Sequence, residues 1–242
     1  MNFKNKIVIV SGTSSGIGKA CAELLLEKEA MVVGLDIKKP SISHARYIHY
    51  LMDVSDEKEV MGLIKDIDEE FGKADGLVNC AGIFINAKPF YELDLSEWNK
   101  VIDTNLTGIF ILSKHIAKIM MKHNKGKIVN ISCIRSKIFR PKMAEYAASK
   151  AAVVALTSAM ALDLAPYNIQ VNSVAPGFTY TAMTAKSFDD PKIREFSESI
   201  IPAGRIAKAE DIANVVIFLL SEMSDYINGE TIFVDGAYRI SK

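Results

Sequence analysis

Short apolar runs alternate along this chain with longer segments whose apolar residues recur every three to four positions. Lys6–Ser11, Met31–Asp36, Tyr47–Met52, Asp75–Cys80, Lys127–Ser132, Ile169–Val174 and Thr231–Asp235 read as strands. Ile17–Glu29, a segment from about Asp56 to Gly72, one from near Ser96 to just before Gly126, Met143–Ala165 and Glu210–Ser221 read as helices. Ser55 is the expected N-cap of the second helix and Gly72 its stop, and Pro166 ends the fourth. Strands that are apolar almost throughout, each followed by a helix, predict an α/β fold whose parallel sheet is covered on both faces. No linker or repeat divides residues 1–242, so one domain is expected. Two segments break the alternation. Ile37–Arg46, with Pro40, is too short for an ordinary crossover helix. Ala175–Lys208, interrupted by Pro176, Pro191 and Pro202, reads as a long loop, with a substrate lid at about 182–208 that carries Phe188, Ile193 and Phe196.

Composition narrows the class without naming a function. The 29 basic and 29 acidic residues balance, which argues against nucleic acid as a partner. Cys21, Cys80 and Cys133 are odd in number and far apart, so a disulfide framework is not expected and a reducing, cytoplasmic setting is. The first strand starts too early for a secretory signal. The apolar stretch Ala151–Leu162 falls short of the roughly 20 residues that span a bilayer, so no membrane partner is expected. His44, His49, His115 and His123 lack metal-ligand spacing, and no catalytic metal is expected.

The chemistry begins at Gly12-Thr13-Ser14-Ser15-Gly16-Ile17-Gly18, between the first strand and the first helix. Glycines there permit a tight turn and close backbone approach, and the helix start offers unpaired N–H groups to a pyrophosphate. Asp36 ends the second strand. A carboxylate at that point accepts from both ribose hydroxyls of an adenosine and repels a 2′-phosphate, which favours NAD over NADP, although Lys38 and Lys39 follow closely. Tyr146 and Lys150 lie one helical turn apart on one face. An adjacent ammonium lowers the pKa of a phenol and fits it to exchange a proton with an alcohol oxygen. The spacing alone is weak, since Tyr238 and Lys242 repeat it.

Together these pieces resemble the short-chain dehydrogenase/reductase family over essentially the whole chain. Asp53-Val54 resembles the family's adenine-contacting pair. Asn79-Cys80-Ala81-Gly82 stands where the family usually reads NNAG, and Asn105 in DTNLTG resembles its helix-kinking asparagine. The run VNSVAPGFTYT, through Pro176, Gly177, Thr179 and Thr181, resembles its nicotinamide-carboxamide segment. The resemblance implies a Rossmann-type, doubly wound three-layer sandwich with a seven-stranded parallel sheet, and usually a homotetramer built on the helices Ser96–Asn124 and Met143–Ala165. It implies that Tyr146 is the general acid–base and that Lys150 lowers its pKa and holds the nicotinamide ribose. Asn105 then completes a proton relay through a water. The cofactor contacts it implies are Gly12, Ser14, Ser15, Gly16, Ile17, Gly18, Asp36, Asp53, Val54, Asn79, Ala81, Gly82, Tyr146, Lys150, Pro176, Gly177, Thr179 and Thr181.

Three departures stand out. Thirteen residues before Tyr146, where the family has a catalytic serine, this chain has Cys133. A thiol is a weaker hydrogen-bond donor, and the neighbouring Ser132 is expected to face elsewhere because side chains alternate along a strand. Cys80 replaces the second asparagine of NNAG. The short Ile37–Arg46 connection, similar to that of some sugar dehydrogenases, is expected to leave the adenine side more exposed. Between Cys133 and Tyr146 lie Arg135, Lys137, Arg140 and Lys142, either a solvated basic loop or a site for an anionic substrate. The reading is an oxidoreductase interconverting a secondary alcohol or sugar lactol with a carbonyl. Sugars, polyols and 3-oxoacyl groups are the candidate substrates. The alternative is a cofactor-binding scaffold or redox sensor whose catalysis Cys133 impairs.

Overall fold

The computed structural model describes residues 1–85 and 87–241; Lys242, and with it the second Tyr–Lys spacing, lies outside the described residues. Seven strands are β1 (Ile7–Ser11), β2 (Met31–Asp36), β3 (Tyr47–Leu51), β4 (Gly76–Asn79), β5 (Gly126–Ile131), β6 (Ile169–Pro176) and β7 (Thr231–Val234). They pair in parallel in the order β3-β2-β1-β4-β5-β6-β7. The order reverses between β1 and β4, and the crevice at the carboxyl ends of these strands is where such sheets bind ligands.

The described residues form eight α-helices: α1 (Gly16–Glu27), α2 (Glu57–Glu70), α3 (Leu95–Ile102), α4 (Gly108–Lys122), α5 (Ala144–Leu164), α6 (Ala185–Phe188), α7 (Pro191–Ile200) and α8 (Ala209–Leu220). Alternation along β1 sends Ile7 and Ile9 to one face, with Leu63 and Ile67 of α2, Ile116 of α4 and Ala161 of α5. Val8 and Val10 go to the other face, with Leu25 of α1 and Val216 and Ile217 of α8. The result is the three-layer, doubly wound sandwich that the alternation predicts.

The ends of elements differ in instructive ways. Asp56, not Ser55, caps α2, its carboxylate accepting from the N–H groups of Lys58 and Glu59 at 2.8 and 3.3 Å. Ser55 instead donates its N–H and hydroxyl to Asp53. A full negative charge at a helix start gains from the dipole as well as the hydrogen bond, so the aspartate takes the cap. The third predicted helix starts at Leu95 and is not continuous: a π-turn at Asp103–Thr107 separates α3 from α4. By length and composition alone, Ala144–Tyr167 could cross a membrane; here α5 packs against β6 and the π-turn.

The long segment expected as a loop contains two helices. Asp190 caps α7 by accepting from Lys192 and Ile193 at 2.8 and 3.4 Å, and Pro191 occupies the first helical position. On the other side of the sheet, Ile37–Arg46 forms no helix, as its length predicts. Tyr47 covers the gap: its ring lies against Gly34, leaving no room there for a side chain. Its hydroxyl bonds Thr13 Oγ1 and His49 Nδ1, each at 2.8 Å.

Candidate active site

The turn after β1 is shaped by what its glycines allow. Gly12 and Gly16 have φ of +77° and +58°. A Cβ on Gly18 would overlap the carbonyl of Gly12, so the first turn of α1 closes directly over the strand end. A Cβ on Gly12 would lie 3.0 Å from Ala81 N, and one on Gly16 would lie 3.3 Å from Thr181 Cβ. The turn therefore touches both the end of β4 and the segment after β6. Ser15 precedes α1 in extended conformation, and its side chain caps none of the helix N–H groups. Those donors and the dipole's positive end fit a phosphate.

Asp36 braces this turn. Its Oδ2 accepts from Ser14 N at 2.9 Å and its Oδ1 from Lys38 N at 2.9 Å. Ser14 Oγ donates to the carbonyls of Lys38 and Lys39 at 3.2 and 3.0 Å. At the end of β4, Ser11 Oγ accepts from the N–H groups of Cys80 and Ala81 at 3.0 and 3.1 Å. Burial, opposed only in part by the Lys150 ammonium, pushes the Cys80 thiol up to about 12, so it stays protonated beside the cleft.

Asn79 is not brought to the cleft. It is 1% exposed and its amide donates inward, to Ser113 Oγ at 3.0 Å and Asn130 Oδ1 at 2.8 Å, locking β4 to α4 and β5. Inward pointing is what strand alternation gives a residue whose neighbour, Cys80, faces the cleft. Asp53 is exposed and engaged with Ser55, while Val54 is buried against Gly108 at the start of α4. Pro176 pairs with β7 and Gly177 N–H donates to Val234 at 2.8 Å. Thr179 forms a bridge with Ala207, which closes the base of the segment carrying α6 and α7.

Tyr146, Lys150, Cys133 and Asn105 converge beyond β4 and β5. Lys150 is buried, and its ammonium donates to the Ile131 carbonyl at 2.9 Å and lies 5.8 Å from the Tyr146 ring centre. A Cβ on Gly82 would meet Asn105 Oδ1 at 3.2 Å and Lys150 Nζ at 3.5 Å, so these three share one corner. The π-turn explains Asn105. Its side chain is fully buried, accepting from Ile83 N–H at 2.7 Å and donating to the Ile83 carbonyl at 2.9 Å and Ser149 Oγ at 3.2 Å. A π-turn offsets the helical hydrogen-bond ladder. Ser149 and Ile83 are partners that spacing alone does not reveal.

Ser132 is 2% exposed and donates its hydroxyl to the Lys150 carbonyl at 2.8 Å. Cys133, next along, is half-buried, with its thiol at the Tyr146 hydroxyl. Burial first, then the Cys133 thiol, push the Tyr146 phenol well above its ordinary value; the nearby Arg135 guanidinium draws it back. Burial holds Lys150 below its ordinary value. The Lys150 ammonium donates to a carbonyl in this structure, and the Arg135 guanidinium lowers the phenol.

Of the four cations between Cys133 and Tyr146, Lys137, Arg140 and Lys142 are exposed, as a solvated loop requires. Arg135 is 6% exposed. Sealed polar side-chain atoms without a partner, among the described residues, are Asn79 Oδ1 and both oxygens of Glu145. A cavity of about 460 Å³ lies at the opposite, amino ends of the strands, lined by residues such as Lys6, Asp75, Gly126 and Lys127.

A sheet reversing at β1/β4, a glycine-built anion cradle and a tyrosine–lysine pair define a nicotinamide-dependent oxidoreductase. Residues 12–239 match a family model described as enoyl-(acyl carrier protein) reductase. The chain is 36% identical over 245 residues to the 3-oxoacyl-[acyl-carrier-protein] reductase of Thermotoga maritima, covering 98% of each. It is 36% identical over 245 residues to an NAD-dependent glycerol dehydrogenase of Listeria innocua, covering 99% of this chain and 96% of the relative. The solved gluconate 5-dehydrogenase of Burkholderia cenocepacia, in complex with NADP and tartrate, superimposes with a TM-score of 0.90 at 31% identity, covering 98% of this chain and 96% of that one. The chain belongs to the short-chain dehydrogenase/reductase family, and it interconverts CH–OH and carbonyl groups with NAD or NADP.

Proposed function

We propose that this protein is an NAD-preferring dehydrogenase of a polyol, sugar or 3-oxoacyl compound, working in the cytoplasm as a homotetramer. The observation that carries the reading is the convergence of Tyr146, Lys150, Cys133 and Asn105 beside a turn that a pyrophosphate fits. Gly12, Ser14, Ser15, Gly16, Ile17 and Gly18 would hold the pyrophosphate. Asp36 would take the adenosine ribose, Asp53 and Val54 the adenine. Ala81, Gly82, Pro176, Gly177, Thr179 and Thr181 would line the nicotinamide half, with Lys150 on its ribose. When bound, the nicotinamide supplies the hydride chemistry. Tyr146 exchanges a proton with the substrate oxygen, Lys150 and Asn105 relay it, and Cys133 holds that oxygen. Asn79 would contribute through its backbone only, since its side-chain N–H groups are spent inside the core.

Support for NAD comes from the Asp36 carboxylate at the end of β2, already aimed by two backbone N–H groups, and from the NAD-dependent name of one relative. The solved relative with NADP argues that the preference is a matter of degree. Exposed Phe110 on α4 and Leu162 on α5 suit an interface on those helices. The segment 182–208, with Phe188 buried and Phe196 exposed, suits a lid. The test is NADH and NADPH binding by fluorescence, with turnover of sugars, polyols and 3-oxoacyl thioesters on both cofactors. Tighter NADH and turnover of a secondary alcohol are expected. Tight NADH binding without turnover on any compound would favour the scaffold or redox sensor.

A further inference from the structure

Buried cations are rare without a counter-ion, because desolvation costs several kcal/mol that only a charge partner offsets. Arg135 lies on the short turn that follows β5, two residues after Cys133, and is 94% buried (6% exposed). Among the described residues one hydrogen bond holds it, from Nη1 to the Ile138 carbonyl at 3.2 Å. A guanidinium has five N–H donors. Its electrostatic neighbours are the Cys133 thiol, the Arg140 guanidinium and the phenols of Tyr238 and Tyr146. The Phe178 ring lies 5.9 Å from its central carbon. No carboxylate among the described residues pairs with it.

We propose that Arg135 binds a carboxylate of the substrate, so that the substrate is a hydroxy acid whose carbinol carbon lies at Tyr146. This rests on the oxidoreductase reading above and narrows it. The guanidinium fork matches a carboxylate in two parallel hydrogen bonds, and Phe178 backs the pair against water. The same turn fixes the anion subsite and, through Cys133, the reacting oxygen. A neutral polyol leaves the buried cation unpaired, which is how a site rejects the analogue that lacks its partner group. A phosphate ester brings a second charge, and the other cations of the loop are exposed.

The experiment compares gluconate with glucitol, and tartrate with threitol, on the wild type and R135Q with NAD, adding glucose 6-phosphate as a third anion. Calorimetry of the same compounds on the wild-type complex with NADH runs beside it. The wild type is expected to favour the acids, and R135Q to lower the acid-to-polyol ratio of kcat/KM by about 30-fold or more, mainly through KM. R135K recovers part of that ratio. Equal use of acids and polyols by the wild type, preference for the phosphate ester, or an unchanged ratio in R135Q would overturn the proposal. Should R135Q not fold, calorimetry on the wild type decides: gluconate binding with no glucitol binding supports the carboxylate subsite, and equal or absent binding of both overturns it. Absence of turnover on every compound, with gluconate still bound, removes the oxidoreductase reading and leaves the subsite standing.

Discussion

The two halves of the cleft are built in different materials. On the proposed cofactor side, at β1, α1 and β4, the groups on offer are largely backbone: glycines of positive φ, uncapped N–H groups at a helix start, and one carboxylate aimed by two N–H donors. On the substrate side, from Cys133 to Tyr146 and from Gly177 to Lys208, the work falls to side chains in unusual settings. There a thiol faces a phenol, an arginine is buried with no carboxylate partner among the described residues, and a bridge at Thr179 closes a helical excursion. Backbone sites tolerate few substitutions and read any phosphate alike. Side-chain sites change with one residue, so specificity belongs to that half.

Breaking the shared corner between the halves has the largest expected effect. Asn105→Ala strips half-buried Ile83 of the partners of its N–H and carbonyl, at a cost of about 2–4 kcal/mol, read as a lower urea midpoint. On the cofactor side alone, Asp36→Ala removes the charge that repels a 2′-phosphate. The NADP-to-NAD ratio of kcat/KM should rise by about 10-fold or more, measured with one substrate throughout. On the substrate side alone, Cys133→Ser supplies a stronger donor to the substrate oxygen, and turnover should rise a few-fold.

The pH profile sharpens the last contrast. Alcohol oxidation needs the phenolate of Tyr146, so its rate climbs as pH rises through the phenol's pKa. The thiol of Cys133 raises that pKa and the Arg135 cation lowers it. Cys133→Ser should therefore move the rising limb to lower pH, and Arg135→Gln should move it to higher pH. A pH–rate series on one neutral alcohol checks both directions; shifts of the same sign in both variants would contradict the assignment.

The local geometry of the proposed cofactor half is largely legible because it is written in spacing. Gly12, Gly16 and Gly18 between a strand and a helix, and Asp36 at the end of the next strand, sit where local geometry dictates their use. The same holds for the seven strands, whose apolar runs need two covered faces. At Asn79 the motif names a residue without saying which way the strand turns its side chain, which lies inward on Ser113 and Asn130. Asp56 displaced Ser55 because two adjacent residues could each cap, and charge decided. The π-turn at Asp103–Thr107 leaves no mark on apolar periodicity, being one residue of slip in an otherwise helical run. The Asp190-Pro191 pair was a helix start in plain view, but three prolines made the whole stretch read as loop. Arg135 looked like its three exposed neighbours, since burial of a cation depends on Phe178 and Tyr238, residues far along the chain.

In the proposed reaction Tyr146 moves the proton of a nicotinamide-dependent oxidation. Tyr146→Phe removes one hydroxyl and leaves the ring, its edge contact with Phe84 at 5.5 Å and the glycine cradle in place. The decisive measurement is single-turnover reduction of NAD by the wild type and Tyr146→Phe, followed at the NADH absorbance, with NADH affinity determined on both. The variant's rate is expected to be lower by about 10²–10⁴-fold at an NADH affinity within a factor of about three. A variant that reduces NAD at a wild-type rate would contradict this role of Tyr146.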